Sequence, residues 1–218
     1  MSQSGNANIR TVVGRGSRDE SHHEAVAVAA PIDGSTLFFG CADRGTYLRS
    51  VAKPFQALAL LREGILETFS ITPRELAVIC SSHSGERIHR DLVYGLLARG
   101  GLSVDHLKCG THSPLSRSEH NRMMAEGEML DATCNNCSGK HTGMLLACVA
   151  QGYPTEGYLE PQHPVQRSIR ALLELFPGEI LDPSRLGIDG CSAPTYHVPI
   201  ASMAFAFRRL VDRDFLNR

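Results

Sequence analysis

Lysine is scarce in this sequence. Of 22 basic residues only Lys53, Lys108 and Lys140 are lysines; the rest are arginines. Arginine keeps its proton in any protein setting, whereas a desolvated lysine can give its proton up. A lysine retained in such a chain is either a survivor of biased composition or a residue that must act as a base. A positive excess is missing too. The formal net charge is −1, which argues against a nucleic acid or an anionic membrane as the main partner. Long apolar runs are absent: the longest, MLLACVA at 144–150, is too short to cross a bilayer. The opening residues MSQSGNANIR hold no apolar segment of the signal-peptide kind, so a cytoplasmic location is expected. The seven cysteines are odd in number and unevenly spaced. In a reducing compartment they read as free thiols or metal ligands rather than a disulfide framework. No internal repeat or low-complexity tract is present.

What is there is a soluble globular composition, 42% hydrophobic and 21% charged over 218 residues, enough for one substantial domain or for one and part of another. Residues 9–48 read as strands, with AVAVAA (25–30) and STLFFGC (35–41) flanking the turn signal PIDG. The period then changes: Phe55, Leu58, Leu61 and Ile65 predict a helix from near Ser50 to about Leu66. Pro54 leaves two starts open, one with Ser50 in the first turn and one with Pro54 as the first full residue. ELAVIC (75–80) reads as a buried strand. Helices are expected at 86–101, closed by glycines, at 116–128, from about Ser138, from Pro164, and at 200–215. GIDGCSAPTY (187–196) reads as a loop of small residues.

Three polar segments stand out. In RSVAKPFQ, Ser50 and Lys53 lie about one helical turn apart and can face each other. A serine hydroxyl needs a base to attack at neutral pH, and a neutral, desolvated lysine can be that base. The plainer reading is a capping serine and a solvated lysine. The second segment, SSHSGE at 81–86, offers Ser82 as a proton relay or oxyanion donor, or else Ser82 or Ser84 as a helix N-cap before Glu86. The third, CNNCSGKH at 134–141, carries a C-x-x-C pair with no second pair to complete a zinc site. Cys191 in GIDGCSAP and His141 are candidate distant partners, while Cys134 and Cys148 read as ordinary small buried residues. Asn135 stands where a phosphate loop would need glycine, so SGKHTG does not predict nucleotide binding.

In this order RSVAKPFQAL, SSHSGE, CNNCSGKHTGML and GIDGCSAPTY, with GRGSRDESHH near the start, resemble the signature of the asparaginase II family, the rhizobial-type, thermolabile L-asparaginases. The resemblance spans essentially the whole chain as one domain, 1–218. It implies an α+β fold, an antiparallel sheet packed with helices as in serine β-lactamases and serine glutaminases. It further implies hydrolysis of the side-chain amide of L-asparagine to L-aspartate and ammonia. By motif position Ser50 would be the nucleophile, Lys53 its base, and Ser82 the third member. Cys137, Lys140 and Cys191 would hold zinc, with Asp189 beside them; Arg49, Asp189 and His141 would contact the substrate. A homodimer is expected.

By the same resemblance, family members run past Arg218 into a G-A-E-G-like stretch, a further lysine and terminal strands of the sheet. The chain is therefore expected to lack its C-terminal strands and to leave an open sheet edge. Two alternatives stay open: a metal- or ligand-binding fragment without catalysis, and a β-lactamase-like acyl-enzyme acting on another amide.

Overall fold

The computed structural model describes residues 9–41 and 43–217. They form seven strands and nine α-helices in an α+β arrangement with small antiparallel sheets. The chain divides into two compact units, the first from described residues of 9–48, 174–185 and 197–217, the second from 49–173 and 186–196.

In the first unit β1 (Ile9–Arg15) and β2 (Arg18–Ala25) form a hairpin whose register shifts between Val13 and Gly14. β3 (Ala27–Ala29) pairs β4 (Leu37–Phe39) across the PIDG turn, the hairpin expected there. β5 (Gly45–Tyr47) pairs the second half of β7 (Pro194–Pro199). The predicted final helix is two: α8 (Ile200–Val211) ends at Asp212, whose side chain accepts from the N–H groups of Asp214 and Phe215 and caps α9 (Arg213–Leu216). An aspartate at that point offers the backbone a better partner than continued helix.

The second unit is mainly helical. α1 (Lys53–Arg62) follows a 3-10 turn at Arg49–Ala52, and Gly64 in a left-handed conformation separates it from α2 (Ile65–Phe69). So Ser50 sits in a 3-10 turn and the α-helix proper begins at Lys53. Next comes α3 (Pro73–Cys80). This corrects the strand expected at 75–80. The short apolar run carried no decisive period. The signal that decides is upstream, where Thr72 and Glu75 make a capping box and Pro73 takes a first-turn position. α4 (Arg87–Arg99) ends at Gly100, and α5 (Arg117–Glu126) at Gly127. α6 (Ser138–Gln151) and α7 (Pro164–Leu175) lie where they were expected. The segment 187–196 is not only a loop: β6 (Leu186–Ile188) pairs the first half of β7 across a tight turn.

α6 is the centre of this unit. Every residue from Ser138 to Cys148 is buried, with Met144, Leu145, Leu146, Ala147 and Cys148 fully enclosed. α1, α2, α3 and α4 all pack on it. A helix apolar on most sides must be wrapped in this way. Two glycines set how closely. A Cβ on Gly139 would stand 2.3 Å from the Val78 carbonyl oxygen of α3. One on Gly143 would meet Ile79 Cγ2 at 2.8 Å and Leu60 Cδ1 at 2.9 Å. The glycines of SGKHTG are thus packing residues. The start of α6 is also tied to α4 by buried Arg90, which donates to Thr133 Oγ1 at 3.2 Å and pairs with Glu128 at 2.7 Å.

Gly139→Ala should therefore destabilise the chain by about 1–3 kcal/mol, the usual cost of overpacking. Chemical denaturation measures it. An unchanged midpoint would mean that α3 yields to the added methyl at little cost.

Candidate active site

Arg49 opens the site in a left-handed conformation, φ +46°, that a side-chain-bearing residue adopts at a cost. It is held there from two directions. Its N–H donates to Thr195 Oγ1 at 3.0 Å, and its guanidinium Nε reaches Asp189 Oδ1 at 3.2 Å. Both partners come from the β6–β7 hairpin and the strand that follows. Ser50 is the next residue and is exposed, while Lys53, three positions on, is 2% exposed.

Lys53 Nζ lies 2.6 Å from the Ser81 carbonyl, 2.7 Å from Ser82 Oγ and 3.4 Å from the Asn136 carbonyl. The Ser82 and Ser50 hydroxyls share a hydrogen bond of 3.1 Å. Among the described residues no direct hydrogen bond joins Ser50 to Lys53, so Ser82 stands between them. Burial lowers the Lys53 pKa below its ordinary value, and neighbouring Lys140 adds to the effect. Ser82 is placed by the end of α3, after a helix rather than after the strand expected there. The N-cap reading of this segment fails: α4 is capped at Glu86, without any side-chain cap bond.

The cysteine loop is pinned by its asparagines. Asn135 Nδ2 donates to the Cys109 and Gly110 carbonyls at 2.8 and 3.2 Å, and its Oδ1 accepts from Cys137 N–H at 2.8 Å. The Asn136 carbonyl receives His83 N–H besides Lys53. The Asn136 N–H donates to His112 Nε2 at 3.2 Å, and His112 Nδ1 donates to the Ser113 carbonyl at 2.6 Å. One peptide thus joins the C-x-x-C loop to the buried lysine. Neither His112 nor Asn136 stood out in the sequence, because no motif spacing marks His112 and an Asn-Asn pair reads as a turn.

Cys137, Lys140 and Cys191 converge beneath this loop, all buried. Lys140 Nζ donates to Cys191 Sγ at 3.1 Å. The Cys137 thiol also bonds to Cys191, which lowers Cys191 and, with burial, raises Cys137. Among the described residues no three histidine, cysteine or carboxylate side chains gather as a metal site; the third donor here is a lysine. His141, expected to touch substrate, is instead fully enclosed, with Nδ1 2.7 Å from the Tyr158 hydroxyl. Cys134 and Cys148 are buried, as read from the sequence. The Lys108 amine bonds the Asp105 carbonyl, three residues back.

Above these groups a cavity of about 200 Å³ is lined by Arg49, Ser50, His112, Asn136, Asp189 and Cys191, among others. It brings together the serine of one motif and the polar residues of two others, and it is large enough for a small amino-acid-sized ligand. Such a wall offers a hydroxyl, paired charges and a thiol to a small polar ligand. The comparison with known families then specifies it. The L-asparaginase II family model matches residues 11–217. The chain belongs to that family, whose members are hydrolases of the asparagine amide. No curated protein matches it.

His83 in SSHSGE braces the site from behind. Its Nδ1 accepts from Gly85 N–H at 3.1 Å, so its proton sits on Nε2, which donates to Ser138 Oγ at 2.9 Å. Ser138 in turn donates to the Thr133 carbonyl at 3.1 Å. A second ring proton would point at the Gly85 N–H. Burial first, then nearby His89, Lys53 and His112, push its pKa down to about 4. The unfolded chain therefore takes up this proton first as pH falls. Stability from the neutral ring is full above about pH 6.5 and lost progressively toward pH 4, a loss on the order of 3 kcal/mol. Denaturation midpoints across that range should show this slope in the wild type and a shallower one in His83→Gln. Equal slopes would contradict the assignment.

Proposed function

We propose that this chain hydrolyses the side-chain amide of L-asparagine through Ser50, Ser82 and Lys53. The observation that carries the reading is the hydrogen-bond chain Ser50–Ser82–Lys53, with steps of 3.1 and 2.7 Å, opening onto the cavity. The valence of a neutral lysine fits this environment. Two N–H bonds serve the carbonyls of Ser81 and Asn136. As the bonds stand, Lys53 Nζ donates to Ser82 Oγ and Ser82 donates to Ser50 Oγ. For the transfer both hydroxyls turn, so that the lysine lone pair takes the Ser82 hydroxyl and Ser82 oxygen accepts from Ser50. The proton path is Ser50 to Ser82 to Lys53, which refines the direct transfer expected from the S-x-x-K spacing.

In this reading Ser50 Oγ attacks the amide carbon as its proton passes through Ser82 to Lys53. The protonated lysine returns the proton through Ser82 to the departing nitrogen, and ammonia leaves an acyl ester on Ser50. Water then attacks the ester as its proton passes through Ser82 to Lys53, the lysine returns a proton through Ser82 to Ser50 Oγ, and L-aspartate departs. At the cavity wall Arg49 suits the substrate carboxylate and Asp189 its ammonium group. Their mutual ion pair keeps both in place before substrate arrives.

The donor chemistry of Cys137, Lys140 and Cys191 fits a zinc ion: two sulfurs and an amine, buried and mutually in contact. When bound, zinc would tie loop 134–141 to loop 187–196 and orient the amino-acid end of the ligand. Lys140 would have to bind as the neutral amine, which arginine cannot imitate. Two of the three lysines then hold positions where only a residue able to shed its proton will serve.

The purified chain should release ammonia from L-asparagine, and Ser50→Ala should release none while remaining folded. Ser82→Ala should lower kcat by about 10²–10⁴-fold, the span of a general-base contribution, and Lys53→Arg by at least as much. Turnover surviving in Ser50→Ala would overturn the assignment. An unchanged kcat in Ser82→Ala would remove the relay and leave the nucleophile.

A further inference from the structure

Among the described residues that line the cavity, His112 is the one histidine, and it lines it together with Ser50. A histidine in the same pocket as a serine nucleophile suggests a general base. The bonds of this ring point elsewhere. Nδ1 donates to the Ser113 carbonyl at 2.6 Å, and Nε2 accepts the main-chain N–H of Asn136 at 3.2 Å. Both ring nitrogens are therefore committed to main chain, and no lone pair is left to take a serine proton. Among the described residues no hydrogen bond joins His112 to Ser50, Ser82 or Lys53; those three bond one another and the carbonyls of Ser81 and Asn136.

The ring is presented by a segment, 109–116, that is anchored on both sides of it. Before it, the Cys109 and Gly110 carbonyls accept from Asn135 Nδ2 at 2.8 and 3.2 Å. After it, the Ser116 N–H donates to the Ser84 carbonyl at 2.9 Å. Pro114 packs on Gly85, where an added Cβ would stand 3.0 Å from Pro114 Cα. The segment thus spans from the cysteine loop to the loop that carries Ser82.

What the ring holds is the residue whose carbonyl faces Lys53. Two peptides flank the Asn136 Cα. In the first, the Asn135 carbonyl accepts from Ser138 N–H at 2.9 Å, and the Asn136 N–H goes to His112. In the second, the Asn136 carbonyl accepts from His83 N–H at 3.2 Å and from Lys53 Nζ at 3.4 Å, while the Cys137 N–H donates to Asn135 Oδ1 at 2.8 Å. The Asn136 side-chain amide comes to 3.4 Å of the same ring nitrogen. With His112 in place, all four peptide groups around Asn136 are bonded. Without it one part-buried N–H loses its acceptor, and Asn136 must turn to find another. Its carbonyl then leaves the lysine. An amine hydrogen is released to compete with the lone pair for Ser82.

We propose that His112 is a positioning residue for the Ser50–Ser82–Lys53 relay and not its base, acting through the hydrogen bond from the Asn136 N–H to Nε2. The inference rests on that relay for its effect on turnover, whereas the hydrogen bond itself is read separately. No proton passes through the ring in any step.

The test compares ammonia release from L-asparagine by the wild-type chain, His112→Leu and His112→Gln, beside Ser50→Ala. Glutamine sets an oxygen acceptor near the Nε2 position but cannot shuttle a proton. His112→Leu should lower kcat by about 10–100-fold with KM nearly unchanged, the effect of a small misplacement of reacting groups. His112→Gln should recover most of that loss. A folded His112→Gln as inactive as His112→Leu would overturn the proposal, as would an effect of His112→Leu on KM alone, the mark of a ligand contact. In the uniformly ¹⁵N-labelled wild type, a nitrogen–nitrogen coupling across the hydrogen bond should link the Asn136 amide to His112 Nε2, assigned by its loss in His112→Gln. Absence of that coupling would overturn the placement whatever the kinetics show. Should His112→Leu fail to fold, His112→Gln and the coupling decide. Should the wild type release no ammonia, the functional reading fails, and the coupling decides the placement of His112 alone.

Discussion

The contact between Gly139 and the Val78 carbonyl is the constraint on which the rest of the second unit depends. It lets two helix backbones meet without an intervening side chain. Because α3 ends only two residues after Val78, the same approach fixes Ser81 and Ser82. Because Gly139 lies in the first turn of α6, it also fixes Asn136 and Cys137 just ahead of it. Lys53 Nζ bonds to both sides of this contact, to Ser81 and Ser82 after α3 and to Asn136 before α6. A long, flexible side chain is thus held by three oxygens whose spacing is set by backbone packing. Precision of this kind is what proton transfer between side chains requires.

The pieces of the site come from segments far apart in the chain, and each is anchored by atoms that take no part in the chemistry. Thr195 and Asp189 hold Arg49, Asn135 holds the cysteine loop, and His83 with Ser138 and Thr133 holds the loop that carries Ser82. Most of these anchors are side chain to backbone bonds. They satisfy buried peptide groups that loops would otherwise leave unpaired, and they leave Ser50, Ser82 and the cavity wall free to face a ligand.

Much of this was legible in the sequence where a local rule applied. The PIDG hairpin, the helices opened at Ser138 and Pro164, and those closed by Gly100 and Gly127 each carry their own signal. α3 was misread because a five-residue apolar run with Val78 and Ile79 looks like a strand until the Thr72–Glu75 capping box before it is given priority. The proximity of Ser50 to Lys53 followed from spacing, but the insertion of Ser82 between them did not. That depends on the α3–α6 contact, which joins residues some sixty positions apart. His112 was invisible for the same reason, since it holds a peptide 24 residues away. Glycine in SGKHTG carried a packing message that resembles a phosphate-loop message at the level of letters.

The left-handed backbone of Arg49 has a consequence for the history of this surface. A conformation of that kind in a residue with a side chain stores about 1–3 kcal/mol, which glycine would release. Glycine, though, has no guanidinium to set beside Asp189, and the pocket would lose one of its two opposed charges. At this single position heat resistance and ligand recognition pull in opposite directions. A more heat-resistant form of this chain would have to gain its stability elsewhere, in helix ends that the pocket does not use.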